Sequence, residues 1–357
     1  MNYRQLRSLA LALTIFMPAF SVHSQDLPMV KLTNVRRAFH NGEHNAFTDL
    51  IRFADAFYLA FRACPDGHGL HASSSIIVLR STDLNHWSKV TQFRVPDRDV
   101  RDPHFLSFKG QLLVISGTWY CGDQVTPKTE LNLHLGYGVN TADGVHWSVP
   151  KMLDGTFGHY VWRAAAHGDT AYLCGRRIRE FAVGKNGDRS LFESVMLESH
   201  DGFVWRKRSL FQETVGNETA FLFEPNGQVV AVARRDAGPA EVCRAFPPYD
   251  RWERVRLDRY IGGPLITHWG KEILVGGRNM VDRSKPYTSL CWLRDNKLIE
   301  FAQLPSGGDN SYPGFVALNE RAGVVSWYSS HELDHSGKLI TAIYLADLNR
   351  DATSVGE

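Results

Sequence analysis

"NETAFLFEPNGQVVAVARR" (residues 217–235) opens with an acid, Glu218, and closes on two bases, Arg234 and Arg235. Between them, two apolar runs flank Asn226-Gly227, a strong short-range hairpin signal. A two-residue turn at that dipeptide pairs Leu222 with Ala231, Thr219 with Arg234 and Glu218 with Arg235. The acid and the bases then meet at the end of the hairpin away from the turn. A loop one residue longer changes which arginine shares a face with Glu218.

The same pattern recurs along the chain. A polar or charged residue heads an apolar strand, then a turn, then a second apolar strand. The other instances are "TDLIRFADAFYLAFR" (48–62), "RDPHFLSFKGQLLVISG" (101–117), "WRAAAHGDTAYLCGRR" (162–177), "GGPLITHWGKEILVGGR" (262–278) and "YPGFVALNERAGVVSWYSS" (312–330). Anchored on Asp49, Asp102, Arg163, Glu218, Pro264 and Pro313, they lie 53, 61, 55, 46 and 49 residues apart. Two more strands fit between successive hairpins, and no long segment has the 3.6-residue period of an amphipathic helix. Four strands at a period near 50 residues is the arithmetic of a propeller blade. The expectation is an all-β, six-bladed β-propeller of four-stranded antiparallel blades, one domain over 45–350. A five-bladed propeller is the alternative.

A second periodic element is [ST]-x-D-x-x-x-W, in "STDLNHW" (81–87), "TADGVHW" (141–147) and "SHDGFVW" (199–205). Each falls where a third strand turns into a fourth. An Asp there accepts backbone N–H groups of its own turn and the Trp packs the turn down, so these are structural, not catalytic, acids.

The chain has 357 residues, 43% hydrophobic and 22% charged, with a formal net charge of +2. That balance excludes a disordered protein and argues against an electrostatic nucleic-acid binder. "MNYRQLR" followed by the 13 apolar residues "SLALALTIFMPAF" and the small-residue segment "SVHSQ" reads as a signal peptide over 1–24. Residues 25–44 then form an N-terminal extension. The expected location is outside the cytoplasm, periplasmic or secreted, with no membrane association after cleavage. The five cysteines contain no C-x-x-C pair, and those within apolar runs read as buried small hydrophobes. No cofactor or metal is expected, because no His/Asp set has metal-ligand spacing.

In a propeller the first strand of each blade lines the central channel, so charged residues at a common register converge. The order and spacing of these residues resemble the sialidase superfamily. Glu218, Gly227 and Arg234 match the family's catalytic Glu, turn Gly and following Arg. Arg278 in "EILVGGR" matches a further Arg on a later blade. "YPGFVALNERAGVVSWY" matches the segment that begins with the nucleophilic Tyr, here Tyr312. The [ST]-x-D-x-x-x-W turns are similar to the family's Asp boxes in shortened form. The resemblance implies an exo-glycosidase acting on a glycan or small acidic sugar. Tyr312 would be the nucleophile and Glu218 its base, with Arg234 and Arg278 on the substrate carboxylate.

The chain departs from the family in two places. The first-blade arginine segment is replaced by "FTDL", with Asp49; Arg52 and Arg62 lie nearby and out of register, and Arg163 is a substitute from another blade. The loop that holds the family's acid/base Asp reads "CPDGHGLHASSS" (64–75), offering Asp66, His68 and His71. Asp49 and Asp102 are two carboxylates on adjacent blades. They open a second reading, an enzyme acting on another acidic sugar such as a uronic acid with Asp49 or His71 as acid/base. A carbohydrate-binding propeller without catalysis is the third. Arg235 and Arg62 complete the candidate substrate-binding set.

Overall fold

The computed structural model describes residues 27–122, 130–185, 187–236, 238–282 and 284–351; the leader read over 1–24 lies outside them. Six four-stranded antiparallel sheets form the blades of a β-propeller. Among the described residues the only helical elements are three single 3₁₀ turns, and none is long and apolar enough to cross a membrane.

The inner strands are His44–Phe53, Arg98–Phe108, Tyr160–His167, Gly216–Phe223, Gly262–Trp269 and Asn310–Ala317, one for each of blades 1 to 6. The first five blades are continuous in sequence. The sixth takes three strands from the C-terminal region, and its outermost strand is Val30–Phe39, paired antiparallel with Leu339–Arg350. The segment expected to be an extension before residue 45 therefore contributes a strand to the sheet, and the first and last described strands together close the ring. Trp269, Trp292, Phe315 and Trp327 pack between blades 5 and 6. Burying side chains of that size contributes roughly 1.5–3 kcal/mol or more each.

The three [ST]-x-D-x-x-x-W segments are the expected turns. Asp83 Oδ1 accepts the N–H groups of Asn85 and His86, Asp143 Oδ1 those of Val145 and His146, and Asp201 Oδ1 those of Phe203 and Val204, all at 2.8–2.9 Å. Trp87 and Trp205 each donate back to a carbonyl of the same turn. Cys64, Cys174, Cys243 and Cys291 are buried thiols outside any disulfide.

The hairpin at 217–235 differs from expectation by one residue. Glu224 N–H donates to Gln228 O and Gly227 N–H to Glu224 O, so the loop is Pro225-Asn226-Gly227. Gly227 sits at φ 83°, which glycine adopts freely. Leu222 therefore pairs with Val230 and Thr219 with Ala233.

Each inner strand also carries one extra residue at the same height. The pairing slips between Ala46 and Asp49, Arg101 and His104, Val161 and Ala164, Gly216 and Thr219, Gly262 and Leu265, and Ser311 and Gly314. The bulged dipeptides are Phe47-Thr48, Asp102-Pro103, Trp162-Arg163, Asn217-Glu218, Gly263-Pro264 and Tyr312-Pro313. A bulge re-aims side chains and releases ladder hydrogen bonds, which is why proline, lacking an N–H, is tolerated in three of them. Five of the six anchors read from sequence lie in a bulge, four of them at its second position and Asp102 at its first; Asp49 falls one residue after it.

Candidate functional site

The bulges aim side chains at the axis, and hydrogen bonds at this level join neighbouring blades. Thr48 Oγ1 donates to Tyr312 O at 2.7 Å, and Ser311 Oγ to Gly262 O at 2.9 Å. Gly263 N–H donates to Glu218 Oε2 at 2.6 Å. Asp102 Oδ2 accepts from Tyr160 at 2.6 Å and from Trp162 at 3.0 Å. Phe105 N–H donates to Asp49 Oδ2 at 2.9 Å.

Tyr312 and Glu218 come together at the centre. The Tyr312 hydroxyl donates to Glu218 Oε1, and Arg234 Nη1 donates to the same oxygen at 2.8 Å. Burial alone would raise the Glu218 carboxyl; Arg234, the Tyr312 hydroxyl and the Gly263 N–H bring it below its ordinary range. Burial, with Asp102 and Glu218 nearby, pushes the Tyr312 phenol well up. The proton therefore rests on the phenol and the negative charge on Glu218. Tyr312 is held at φ 49° and its neighbour Phe47 at φ 62°, a left-handed conformation uncommon for aromatic residues that gathers at functional sites. Their rings meet edge to face, with centroids 4.9 Å apart.

Arg278 lies on the far side of Tyr328. Its Nη2 donates to Asp309 Oδ1 at 3.1 Å and to Tyr328 Oη at 3.0 Å, and its guanidinium also binds Asn310 O. Arg101, on the second blade, sits over the Phe47 ring at 5.1 Å. Burial opposes charge on Arg101, Arg234 and Arg278 alike; the anions and phenols around them, Tyr312 in every case, keep all three protonated. Arg234 binds Glu218 directly, Arg101 covers the Phe47 ring and Arg278 reaches the Tyr328 hydroxyl, so the three guanidiniums contact the residues that pack on Tyr312. Nε of both Arg101 and Arg234 is buried without a hydrogen-bond partner.

Several residues singled out in the sequence are engaged in structural contacts instead. Arg163 spans the axis, donating to Asp49 Oδ1 at 2.6 Å, Pro313 O at 2.7 Å and Pro264 O at 3.2 Å. Burial would raise Asp49, but Arg163, His104 and the Phe105 N–H bring it down to about 2. Asp49 is thus a charged anchor below the site. Arg235 is tied to Glu241 at 2.7 Å within blade 4. Arg62 is completely buried and donates to Asp99, Gly67 O and Gly69 O at 2.9–3.0 Å, so it holds the 64–75 loop. Asp66 accepts from Ser73 Oγ, and the His71 ring folds back toward Gly69, both within that loop. Asp102 is buried beside Tyr312, where burial lifts its carboxyl to about 6, and its Oδ1 has no partner.

Phe47, Arg101, Asp309 and Tyr328 were not singled out for a role. Arg101 directly precedes Asp102, Asp309 stands three residues before Tyr312, and Tyr328 ends the segment that Tyr312 begins. One further set stands out among the described residues: His44 Nε2, His68 Nδ1 and an Asp309 oxygen, all within 4.8 Å of one another. The His68–Asp309 contact is 2.6 Å, a hydrogen-bond length. His44 Nε2 lies 3.2 Å from the same Asp309 oxygen.

A void between His104, Trp162, Arg163, Glu218 and Tyr312 has no room for a water molecule. A groove of about 830 Å³ lies at the opposite ends of the inner strands of blades 3 to 5, lined by His167, Phe223 and His268. Tyr312 and Glu218 do not line it.

No family model matches the sequence, and no curated protein does. Solved structures match over most of the chain. A Dyadobacter fermentans protein of unknown function aligns at 17% identity and TM-score 0.69, over 91% of this chain and all of its own. Trypanosoma rangeli sialidase in complex with sialic acid aligns at 11% identity and TM-score 0.61, over 86% of this chain and 54% of the sialidase. Phage phi92 endosialidase aligns at 10% and TM-score 0.62, over 91% and 70%. This chain has the sialidase-like propeller fold and spans about half of the trypanosomal enzyme.

Proposed function

We propose that this protein is a retaining exo-glycosidase that removes a terminal acidic sugar, sialic acid or a related sugar acid, from a glycan. The observation that carries the reading is the Tyr312 hydroxyl resting on the Glu218 carboxylate, with Arg234 on the same oxygen. Glu218 takes the phenolic proton as Tyr312 attacks the anomeric carbon, and a covalent glycosyl-tyrosine intermediate is then hydrolysed. A neutral nucleophile suits a substrate whose own carboxylate repels an anion. Guanidinium groups are the side chains best matched to a carboxylate. Arg234 and Arg278 supply two, and Arg101 of the second blade stands in for the missing first-blade arginine. The leader-like N-terminus favours action outside the cytoplasm.

Asp309 on Arg278 supports a second reading, in which the sugar is a less demanding acid such as a uronide. Purified protein lacking residues 1–24 is assayed on 4-nitrophenyl sialoside and 4-nitrophenyl uronides. Turnover of the sialoside, lost by at least about 10²-fold in Tyr312→Phe with unchanged thermal unfolding, is expected. Undiminished turnover by Tyr312→Phe overturns the mechanism, turnover of the uronide alone transfers it to the second substrate, and glycan binding without turnover of either points to a binding protein.

A further inference from the structure

We propose that His68, oriented by Asp309, is the proton donor to the departing glycosidic oxygen, an inference that rests on Tyr312 being the nucleophile. His68 stands on the 64–75 loop with more than half of its side chain exposed. Its Nδ1 is 2.6 Å from Asp309 Oδ2, which leaves Nε2 toward solvent. A carboxylate on one imidazole nitrogen fixes the orientation of the ring and leaves the other nitrogen to meet a substrate, the arrangement a general acid needs.

Asp309 is itself held from four sides. Tyr328 donates to Oδ1 at 2.9 Å and Arg278 at 3.1 Å, while His44 Nε2 lies 3.2 Å from Oδ2. Burial lowers the pKa of His44, so it is a neutral donor to Asp309, and its buried Nδ1 has no partner. The loop is pinned on both sides of His68. Arg62 binds Gly67 O and Gly69 O, and Arg101 Nη2 donates to His68 O at 2.6 Å. Arg62 and Asp309 are therefore positioning residues for His68. Asp66 and His71, the other candidates in the loop, are turned onto their own loop.

Phe47 touches both donor and nucleophile: its ring meets His68 at 5.7 Å and Tyr312 at 4.9 Å between centroids, so the two groups border one aromatic ring. In the first step the Tyr312 oxygen bonds the anomeric carbon as the glycosidic bond breaks. The phenolic proton passes to Glu218 and the His68 Nε2 proton to the leaving oxygen. In the second, neutral His68 takes a proton from the water that attacks the anomeric carbon, and Glu218 returns its proton to the departing Tyr312.

The test compares a sialoside with a sugar leaving group, sialyl-lactose, against 4-nitrophenyl sialoside, whose leaving group needs no proton. His68→Asn is expected to lose at least about 100-fold in kcat/KM on sialyl-lactose and less than about 10-fold on the nitrophenyl substrate. Asp309→Asn should show the same leaving-group dependence. Equal losses on both substrates, no loss on either, or a leaving-group-dependent loss in Asp66→Asn instead overturns the assignment. Activity abolished by a chelator and restored by a divalent cation overturns it in favour of a metal at His44, His68 and Asp309. Tyr312→Phe separates the two ideas: if it is inactive while His68→Asn is unchanged, only the role of His68 fails. If Tyr312→Phe is fully active, or the wild type turns over neither substrate, both fail.

Discussion

Tyr312 keeps its proton because it is buried and because Asp102 and Glu218 nearby disfavour a second negative charge, while Arg234 draws the charge onto Glu218. Glu218→Gln leaves the phenol without a base. A fall in kcat of about 10²–10⁴-fold is expected, with a lower unfolding midpoint because Arg234 loses its buried partner. Asp102 gives a prediction on stability alone. Its folded pKa, about 6, lies above the ordinary carboxyl value, so its contribution is fully present below about pH 4 and is lost as pH rises through 6. Asp102→Asn removes that loss. Urea unfolding at pH 4 and pH 7 should show the variant gaining on the wild type by about 2 kcal/mol between the two; a pH-independent difference would contradict the burial argument. Glu218, Arg234, Arg278 and Tyr312 were legible as residues because each stands at a fixed distance from a turn or a strand start. The surroundings that set their charge were not: Asp309 and Tyr328 lie in the blade of Tyr312 but are marked by no spacing of their own, and Arg101 comes from a blade far away in sequence.

At the level of the strand, the bulge makes the site. One extra residue in each inner strand turns a regular ladder into a ring of six re-aimed dipeptides. Gly263 shows how tight that ring is: it holds φ 58°, its N–H binds Glu218, and a Cβ there would lie 2.7 Å from the Tyr312 ring. Gly263→Ala should displace the phenol and reduce kcat by at least about 10-fold while KM changes little; an unaltered kcat would mean that the ring tolerates movement of Tyr312. The strands themselves were readable from apolar runs and turn residues, and Asn226-Gly227 marked its hairpin. The register was not, because a three-residue loop and a bulge each shift pairing by one. The signal for the bulge was present in Asp102-Pro103, Gly263-Pro264 and Tyr312-Pro313, a proline repeatedly set near the head of the inner strand, which is the edge strand of its blade.

Over the whole molecule, the ring is closed by the first and last described strands and by Arg163. Deleting residues 27–39 exposes the edge of Leu339–Arg350, and the unfolding midpoint should fall by about 5 °C or more; an unchanged midpoint would show that the strand adds nothing to closure. Blade count was legible because the repeat period is near 50 residues, whereas the contribution of Val30–Phe39 was not, since its partner lies some 300 residues away and its own pattern is half exposed. The account as a whole rests on a covalent bond to one phenol. Incubating the protein with a 2,3-difluorinated sialic acid, which traps glycosyl-enzyme intermediates, followed by intact and peptide mass spectrometry, tests this directly. A single adduct on the peptide containing Tyr312, absent in Tyr312→Phe, is the predicted result; turnover of sialosides with no adduct, or an adduct on another residue, would contradict it.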